Sequence, residues 1–272
     1  MQNLEKLEKS KGVLLFAFNN SNTDYIAIAQ QAVTLIKRNL KLPVTLVTGL
    51  TETVDFAVDN LLRIDNKSKN YRISTDTGRI IKWTNSDRYR AYELSPYDET
   101  ILLDTDYLVL DDSLLKFFDT EWDYLIPNKN FNVGTGLTVN TMTRFGIDFL
   151  WATVVFFRKT VAAQDLFNMV GRIQRNYSYY QKLFNIAPAN FRNDYAFAMA
   201  NIILNGYNFA PATILPVTLT TIVEPVTSIQ RQGNLLAVKT ASSAYVLPVG
   251  NLHVMSKSYL ASAAFGEFVD AT

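Results

Sequence analysis

GVLLFAFNNSNTDYIAIAQQAVTLIKRNLKLPVTLVT, Gly12 to Thr48, decides the fold. Its first seven residues are continuously apolar, the pattern of a strand buried on both faces. Asn19–Asp24 is polar and turn-like. Tyr25, Ile28, Ala29, Ala32, Leu35 and Ile36 then recur at helical spacing, with Asn22 or Thr23 as the expected cap. Pro43 closes the connection, and Val44–Thr48 reads as a second buried strand. Strand, helix and strand in that order make a right-handed crossover unit of a parallel sheet. The expected class is α/β.

The rest of the chain extends this pattern and then changes it. Leu61–Ile64 reads as a third short strand, Asp65–Gly78 (with Lys67 and Lys69) as a polar loop, and Ser86–Leu94 as a helix ended by Ser95-Pro96. Thr100–Leu103 is a further buried strand. Tyr124–Ile126 and Leu137–Val139 are apolar, and Phe149–Phe157 is the strongest later strand candidate. A long helix is expected from Val161 to Leu183, and another over Asp194–Leu204, capped by Asn193 and stopped by Gly206. Beyond Pro211 the texture turns β-branched, with strands expected at Val217–Val223 and Leu235–Lys239 and a turn at Gln232-Gly233-Asn234. There is no internal repeat and no low-complexity tract. We expect one continuous domain over 1–272, with a mostly parallel central sheet and a mixed β C-terminal part.

Composition narrows the chemistry. Of 272 residues, 48% are apolar and 19% charged, and 26 basic against 25 acidic residues leave a net charge of +1. That balance argues against a basic nucleic-acid sleeve. No cysteine is present, so disulfides, zinc–thiolate sites, thiol nucleophiles and iron–sulfur clusters are excluded. The single histidine, His253, excludes paired-histidine metal motifs. No apolar run approaches the ~20 residues of a membrane span. The N-terminal MQNLEKLEKSKG carries both charge signs and no cleavage pattern, so a cytoplasmic location is the expectation.

Asp104-Thr105-Asp106 follows the apolar Ile101-Leu102-Leu103 directly. In open parallel sheets, ligands bind outside the carboxyl ends of the strands. Two carboxylates spaced i, i+2 on a tight turn there both reach one hard cation, and such a cation can hold a diphosphate and neutralise it as a leaving group. Acidic residues also cap strands and turns, so the strand context is what raises this pair above its neighbours.

SPYDETILLDTDYLVLDD, Ser95 to Asp112, resembles the GT-A glycosyltransferases, especially the glycogenin-like group. Tyr97 stands seven residues before Asp104, as in that pattern. The resemblance implies a Rossmann-like GT-A fold, a metal-dependent transfer of a sugar from a nucleotide-diphosphate donor (a UDP-sugar favoured), and Mn²⁺ or Mg²⁺ as the cofactor. It implies Asp104, Asp106 and His253 as the metal ligands. Arg88, sixteen residues before Asp104, and Lys257, after His253, would contact the diphosphate. The turn Ser21–Tyr25 resembles the family's nucleotide-contacting turn, which puts Phe18, Asn19 and Tyr25 at the nucleoside, with Thr105 beside the donor. FRNDYAFAMA, Phe191 to Ala200, resembles the acidic segment near the donor sugar, which gives Asp194 the role of orienting that sugar or of a base. The implied halves are about 11–112 for the nucleotide and 113–272 for the sugar and acceptor.

This sequence departs from the pattern in two places. The lysine follows the histidine by four residues without an intervening glycine, and Trp151-Ala152-Thr153 replaces the Asn-Ser/Ala-Gly segment near the sugar. The chain also resembles glycosyltransferases of large tailed phages, some of which decorate modified DNA bases, and that resemblance implies a hydroxymethylated base as the acceptor and the host cytoplasm as the location. Two other readings stand beside this one. A nucleotidyltransferase or sugar-nucleotide pyrophosphorylase would need a Gly-rich basic loop, which Asn19–Asp24 is not. A non-catalytic binding module would leave the acids structural. Gly134-Thr135-Gly136 reads as a loop. Tyr177, Tyr179 and Tyr180, interleaved with Arg172, Arg175 and Lys182, read as a helix edge or as a stacking surface for an acceptor.

Overall fold

The computed structural model describes residues 9–66, 70–73, 80–83, 87–139, 147–186, 190–208 and 214–272. Strand β1 (Lys11–Phe16) is buried on both faces, as its apolar run requires. Helix α1 (Tyr25–Asn39) turns Ile28, Ala29, Ala32, Leu35 and Ile36 into the core. Its cap is Asp24 rather than Asn22 or Thr23. The Asp24 carboxylate accepts the Ala27 amide at 3.0 Å, and Asn19 Oδ1 accepts the Ile26 amide at 3.1 Å. Strands β2 (Val44–Gly49) and β3 (Asn60–Ile64) follow, both parallel to β1.

Inside the expected polar loop Asn70–Ile73 is instead a strand, β4, paired antiparallel with β5 (Ile80–Trp83), which lies beyond that loop. Lys67, Lys69 and residues 74–79 lie outside the described residues. The expected helix up to Leu94 is a single 3₁₀ turn, Asp87–Arg90, followed by the short α2 (Ala91–Leu94); Ser86 is outside the described residues. Next come β6 (Glu99–Leu103), β7 (Tyr107–Leu108), β8 (Tyr124–Asn132), β9 (Leu137–Val139) and β10 (Val154–Arg158).

The strand expected from Phe149 begins only at Val154. Trp151 gives its amide to the Pro127 carbonyl at 2.8 Å, and the Trp151 carbonyl faces the Val154 amide across a turn. The long helix expected from Val161 is two, α3 (Val161–Arg175) and α4 (Tyr177–Leu183). Asn176 breaks it: its side-chain amide donates to the Arg172 carbonyl at 2.9 Å, and its backbone leaves the helical region. Helix α5 spans Asn193–Leu204, with Arg192 and not Asn193 at the cap position. The C-terminal part holds β11 (Ile214–Ile222), β12 (Val226–Gln232), β13 (Leu235–Thr240), β14 (Ala244–Pro248), β15 (Leu252–Val254), α6 (Lys257–Leu260) and α7 (Ala263–Ala271).

Among the described residues the main sheet runs β3-β2-β1-β6-β10-β8-β11-β15-β7, with β9 on β8. Pairs from β3 to β6, and from β8 to β15, are parallel; β10 runs antiparallel between β6 and β8, and β7 antiparallel to β15. The class is α/β with a mostly parallel central sheet, as expected. Alternation along β1 builds two cores. Leu14 and Phe16 meet Leu166, Phe167, Val170 and Phe197 of α3 and α5, while Val13 and Leu15 meet Ala29, Val33 and Ile36 of α1. Each large apolar side chain buried this way contributes roughly 1.5–3 kcal/mol relative to exposure. The small sheet β12-β13-β14 is antiparallel, turns at Gly233 with φ +60°, and packs on α7 through Ile229, Val238, Phe265 and Val269. No helix among the described residues is long and apolar enough to cross a membrane.

Tyr97 proves to be a packing residue. A Cβ on Gly12 would lie 2.4 Å from its ring, so only glycine fits at the start of β1. Its hydroxyl oxygen accepts from Thr45 Oγ1 at 2.9 Å, and burial pushes its pKa up.

Candidate functional site

β6 hands the chain to Asp104 at the carboxyl end of the parallel strands. The Asp104 amide donates to the Thr153 carbonyl at 2.9 Å, and the Tyr107 amide donates to the Asp104 carbonyl at 3.1 Å. This closes a tight turn that holds Thr105 and Asp106 buried. The Asp106 carbonyl accepts the Val254 amide at 2.9 Å, which pins β15 beside β7 and sets His253 opposite Tyr107. His253 Nε2 comes to 3.3 Å from Asp106 Oδ2, and Lys257 Nζ donates to the same oxygen. One ligand atom each from Asp104, Asp106 and His253 lie within 4.8 Å of one another. The sequence expected these three residues together, and the structure brings them together.

Arg88 enters from the 3₁₀ turn and is fully buried. Its NH1 donates to Asp104 Oδ1, whereas Nε and NH2 have no hydrogen-bond partner among the described residues. Asp194, in the first turn of α5, accepts the Ala152 amide on Oδ1 at 2.9 Å and Arg192 NH2 on Oδ2 at 2.8 Å. The segment Trp151–Thr153 thus holds both acids, Asp194 through the Ala152 amide and Asp104 through the Thr153 carbonyl. Arg192 itself lies 5.4 Å from the ring centroids of both Phe149 and Tyr195.

The two acids of the turn differ electrostatically. Burial pushes the Asp104 carboxyl up; Arg88 pulls it down but is opposed by Asp106 and Asp194, and it ends above its ordinary value. Burial also opposes ionisation of Asp106, but Lys257 and His253 outweigh it and hold this carboxyl far below the usual range. Asp104, although ion-paired with Arg88, is the acid whose ionised form the protein supports less well. A divalent cation between the three ligands would stabilise that form.

The residues expected at the nucleoside lie one strand over, past the end of β1. The Asn19 side chain accepts the Ile26 amide at the start of α1, and its own amide donates to Glu52 Oε1 at 3.1 Å. The Phe18 ring is buried in the core, 6.3 Å from that of Phe16, and Tyr25 is half-buried. In the tyrosine run, Tyr180 is buried and burial pushes the Tyr177 hydroxyl up to about 12. Only Tyr179 is exposed enough to stack on anything. Three residues that the sequence reading does not single out border this site: Arg192, paired with Asp194, Thr221, with Oγ1 3.3 Å from His253 Nδ1, and Asn130, which accepts from Thr221 Oγ1 at 2.6 Å. Arg192 had a signal, a cation two residues before the helical acid; Thr221 and Asn130 had none, being polar residues inside ordinary strand runs.

No protein-family model matches the chain, and no curated protein matches it. Among solved structures it is similar to the galactosyltransferase LgtC in complex with donor and acceptor sugar analogs (15% identity, 76% of this chain and 73% of that one, TM-score 0.47). It is similar to the glycosyltransferase GlyE of Streptococcus pneumoniae TIGR4 (12% identity, 77% of this chain, TM-score 0.42), of whose chain it spans 46%. It is also similar to mouse xyloside xylosyltransferase 1 (11% identity, 74% of this chain and 84% of that one, TM-score 0.46).

Proposed function

We propose that the chain is a GT-A, metal-dependent glycosyltransferase that moves a sugar from a nucleotide-diphosphate sugar, a UDP-sugar in the first instance, to an acceptor hydroxyl. The observation that carries this reading is the convergence of Asp104, Asp106 and His253 within 4.8 Å at the carboxyl end of β6, against a buried arginine with two unpaired nitrogens. Two carboxylates and one imidazole form a donor set that suits Mn²⁺ or Mg²⁺. Bound there, the cation supplies Lewis-acid neutralisation of diphosphate charge.

The chain's own residues do the rest. Arg88 Nε and NH2 are buried donors without acceptors, and phosphate oxygens supply acceptors of the right charge. Lys257, already turned toward Asp106, adds a second fixed positive charge. Both oxygens of Asp194 are engaged, which suits orientation of the donor sugar better than removal of a proton. Asn19, Tyr25 and the backbone at Phe18 take the nucleoside end, and Thr105 sits on the turn between the two acids. We read 1–272 as one domain of this kind, with hydroxymethylated DNA as the first acceptor to try beside glycans.

A thermal-shift series with UDP, with and without Mn²⁺, tests the reading. Stabilisation that needs both, is lost in Asp106→Asn, and is accompanied by slow Mn²⁺-dependent hydrolysis of a UDP-sugar without acceptor is expected. No stabilisation by any nucleoside diphosphate would overturn it.

A further inference from the structure

We infer that Thr221 and Asn130 are positioning residues that set the tautomer of His253, leaving its Nε2 lone pair free to face the cation site. The inference rests on the metal-site reading above and extends it to two residues that touch neither donor nor metal. A neutral imidazole carries one N–H and one lone pair, and only the bare nitrogen can ligate. Nε2 is the nitrogen that faces the carboxylates, 3.3 Å from Asp106 Oδ2. Left to itself, an imidazole beside that carboxylate would donate Nε2–H to it and lose the ligand atom.

The other side of the ring decides otherwise. His253 Nδ1 lies 3.3 Å from Thr221 Oγ1, and Thr221 Oγ1 donates its only proton to Asn130 Oδ1 at 2.6 Å. An amide oxygen can only accept. With its proton committed, Thr221 offers the ring lone pairs alone, so Nδ1 must carry the hydrogen and Nε2 must be bare. The sheet makes this chain of contacts rigid. Thr221 of β11 is paired directly with His253 of β15 on one side and with Asn132 of β8 on the other; Asn130, two residues before Asn132, is on the same face. All three side chains are buried, with relative exposures of 5% for Asn130, 1% for Thr221 and 7% for His253, so the relay is shielded from solvent.

His253 is the only histidine in the chain, so its ring nitrogens can be read without assignment in untagged, ¹⁵N-labelled protein. Long-range ¹H–¹⁵N spectra at about pH 8, where an ordinary imidazole is neutral, should show Nδ1–H with bare Nε2 in the metal-free wild type. Adding Mg²⁺ should shift Nε2. The isosteric Thr221→Val removes the acceptor from Nδ1, and Asn130→Leu frees the Thr221 proton to donate to Nδ1. Both should move the ring to Nε2–H and weaken Mn²⁺ binding, read by electron paramagnetic resonance, roughly 10–100-fold. Thr221→Ser should restore tautomer and affinity. An Nε2–H ring in the wild type, or a Thr221→Val protein that keeps both Nδ1–H and Mn²⁺ affinity, would overturn the relay. Failure of the wild type to bind either cation would instead sink the metal-site reading, and the two failures are told apart because the tautomer is read without metal.

Discussion

β6 carries an arginine–carboxylate pair at each end, and the two are completed differently. At its start, Glu99 accepts Arg158 Nε at 2.7 Å, while the other guanidinium nitrogens donate to the carbonyls of Phe118, Thr120 and Trp122. The Phe156 ring lies 4.9 Å from the guanidinium carbon, and both charged side chains are under 10% exposed. Just past its end, Arg88 is as deeply buried, but among the described residues it makes one hydrogen bond, to Asp104, and leaves two nitrogens without a partner. Asp104 keeps 24% of its side chain accessible. A buried donor without an acceptor costs about 1–3 kcal/mol, more when charged. The first pair is complete within the protein. The second leaves two buried donors open among the described residues, and on the function proposed above the anionic oxygens of a ligand would be their partners.

The comparison is most easily broken at Arg158. Arg158→Met leaves the buried Glu99 with only the exposed Lys9, 3.9 Å away, and should lower stability by about 3–5 kcal/mol, a fall in Tm on the order of 10 °C by calorimetry. The double variant Arg158→Met/Glu99→Leu should recover most of that loss. Arg88→Met should do the opposite. Turnover should fall roughly 10²–10³-fold, equivalent to about 2.7–4 kcal/mol, while the Tm falls less than half as far as for Arg158→Met. A larger fall than that would make the two pairs alike and refute the contrast.

Cation removal sharpens the same point. Mn²⁺ at a hundred times its Kd should stabilise the wild type by about 2.7 kcal/mol. A chelator should abolish this gain in the wild type and in Arg158→Met alike, and Asp106→Asn should show no gain at all. The smallest effect is expected at an exposed pair that calibrates the scale, Lys37 with Asp59 at 3.1 Å. The Val44 amide first, then Lys37, outweigh mild burial and hold the Asp59 carboxyl below its ordinary value. Its contribution is therefore present above the ordinary carboxylate pKa and is lost as the pH falls through the lowered one. Asp59→Asn should cost no more than about 1 kcal/mol at neutral pH. That difference should close as the pH falls below about 4 in chemical-denaturation curves.

How far the site was legible depended on sequence distance. Asp104 and Asp106 stand together on one turn after an apolar strand, and both the spacing and the strand are local signals. Arg88 and His253 were reached through the resemblance, and the structure places both against those acids. The turn at Trp151–Thr153 was hidden because its residues are as apolar as the strand that follows; the backbone bonds to Pro127, Asp104 and Asp194 are what bend it. The break at Asn176 was hidden because the helical apolar spacing continues through it. The resemblance implies Phe18 at the nucleoside, yet its ring is core, since the apolar run it ends continues into the buried layer.

By itself the sequence determined the β1–α1–β2 unit, the α/β class, the exclusion of thiol and paired-histidine chemistry, and the acidic turn at the end of β6. Those follow from periodicity, composition and residue types within a few positions of one another, where backbone sterics and burial alternation act directly. Only the tertiary structure decided that His253 meets Asp106 across 147 residues, that Thr221 and Asn130 stand behind its ring, and that Arg88 is left with two unpaired nitrogens while Arg158 is left with none. Such contacts are set by the order and register of strands across the whole sheet, and no local pattern of residues encodes that order.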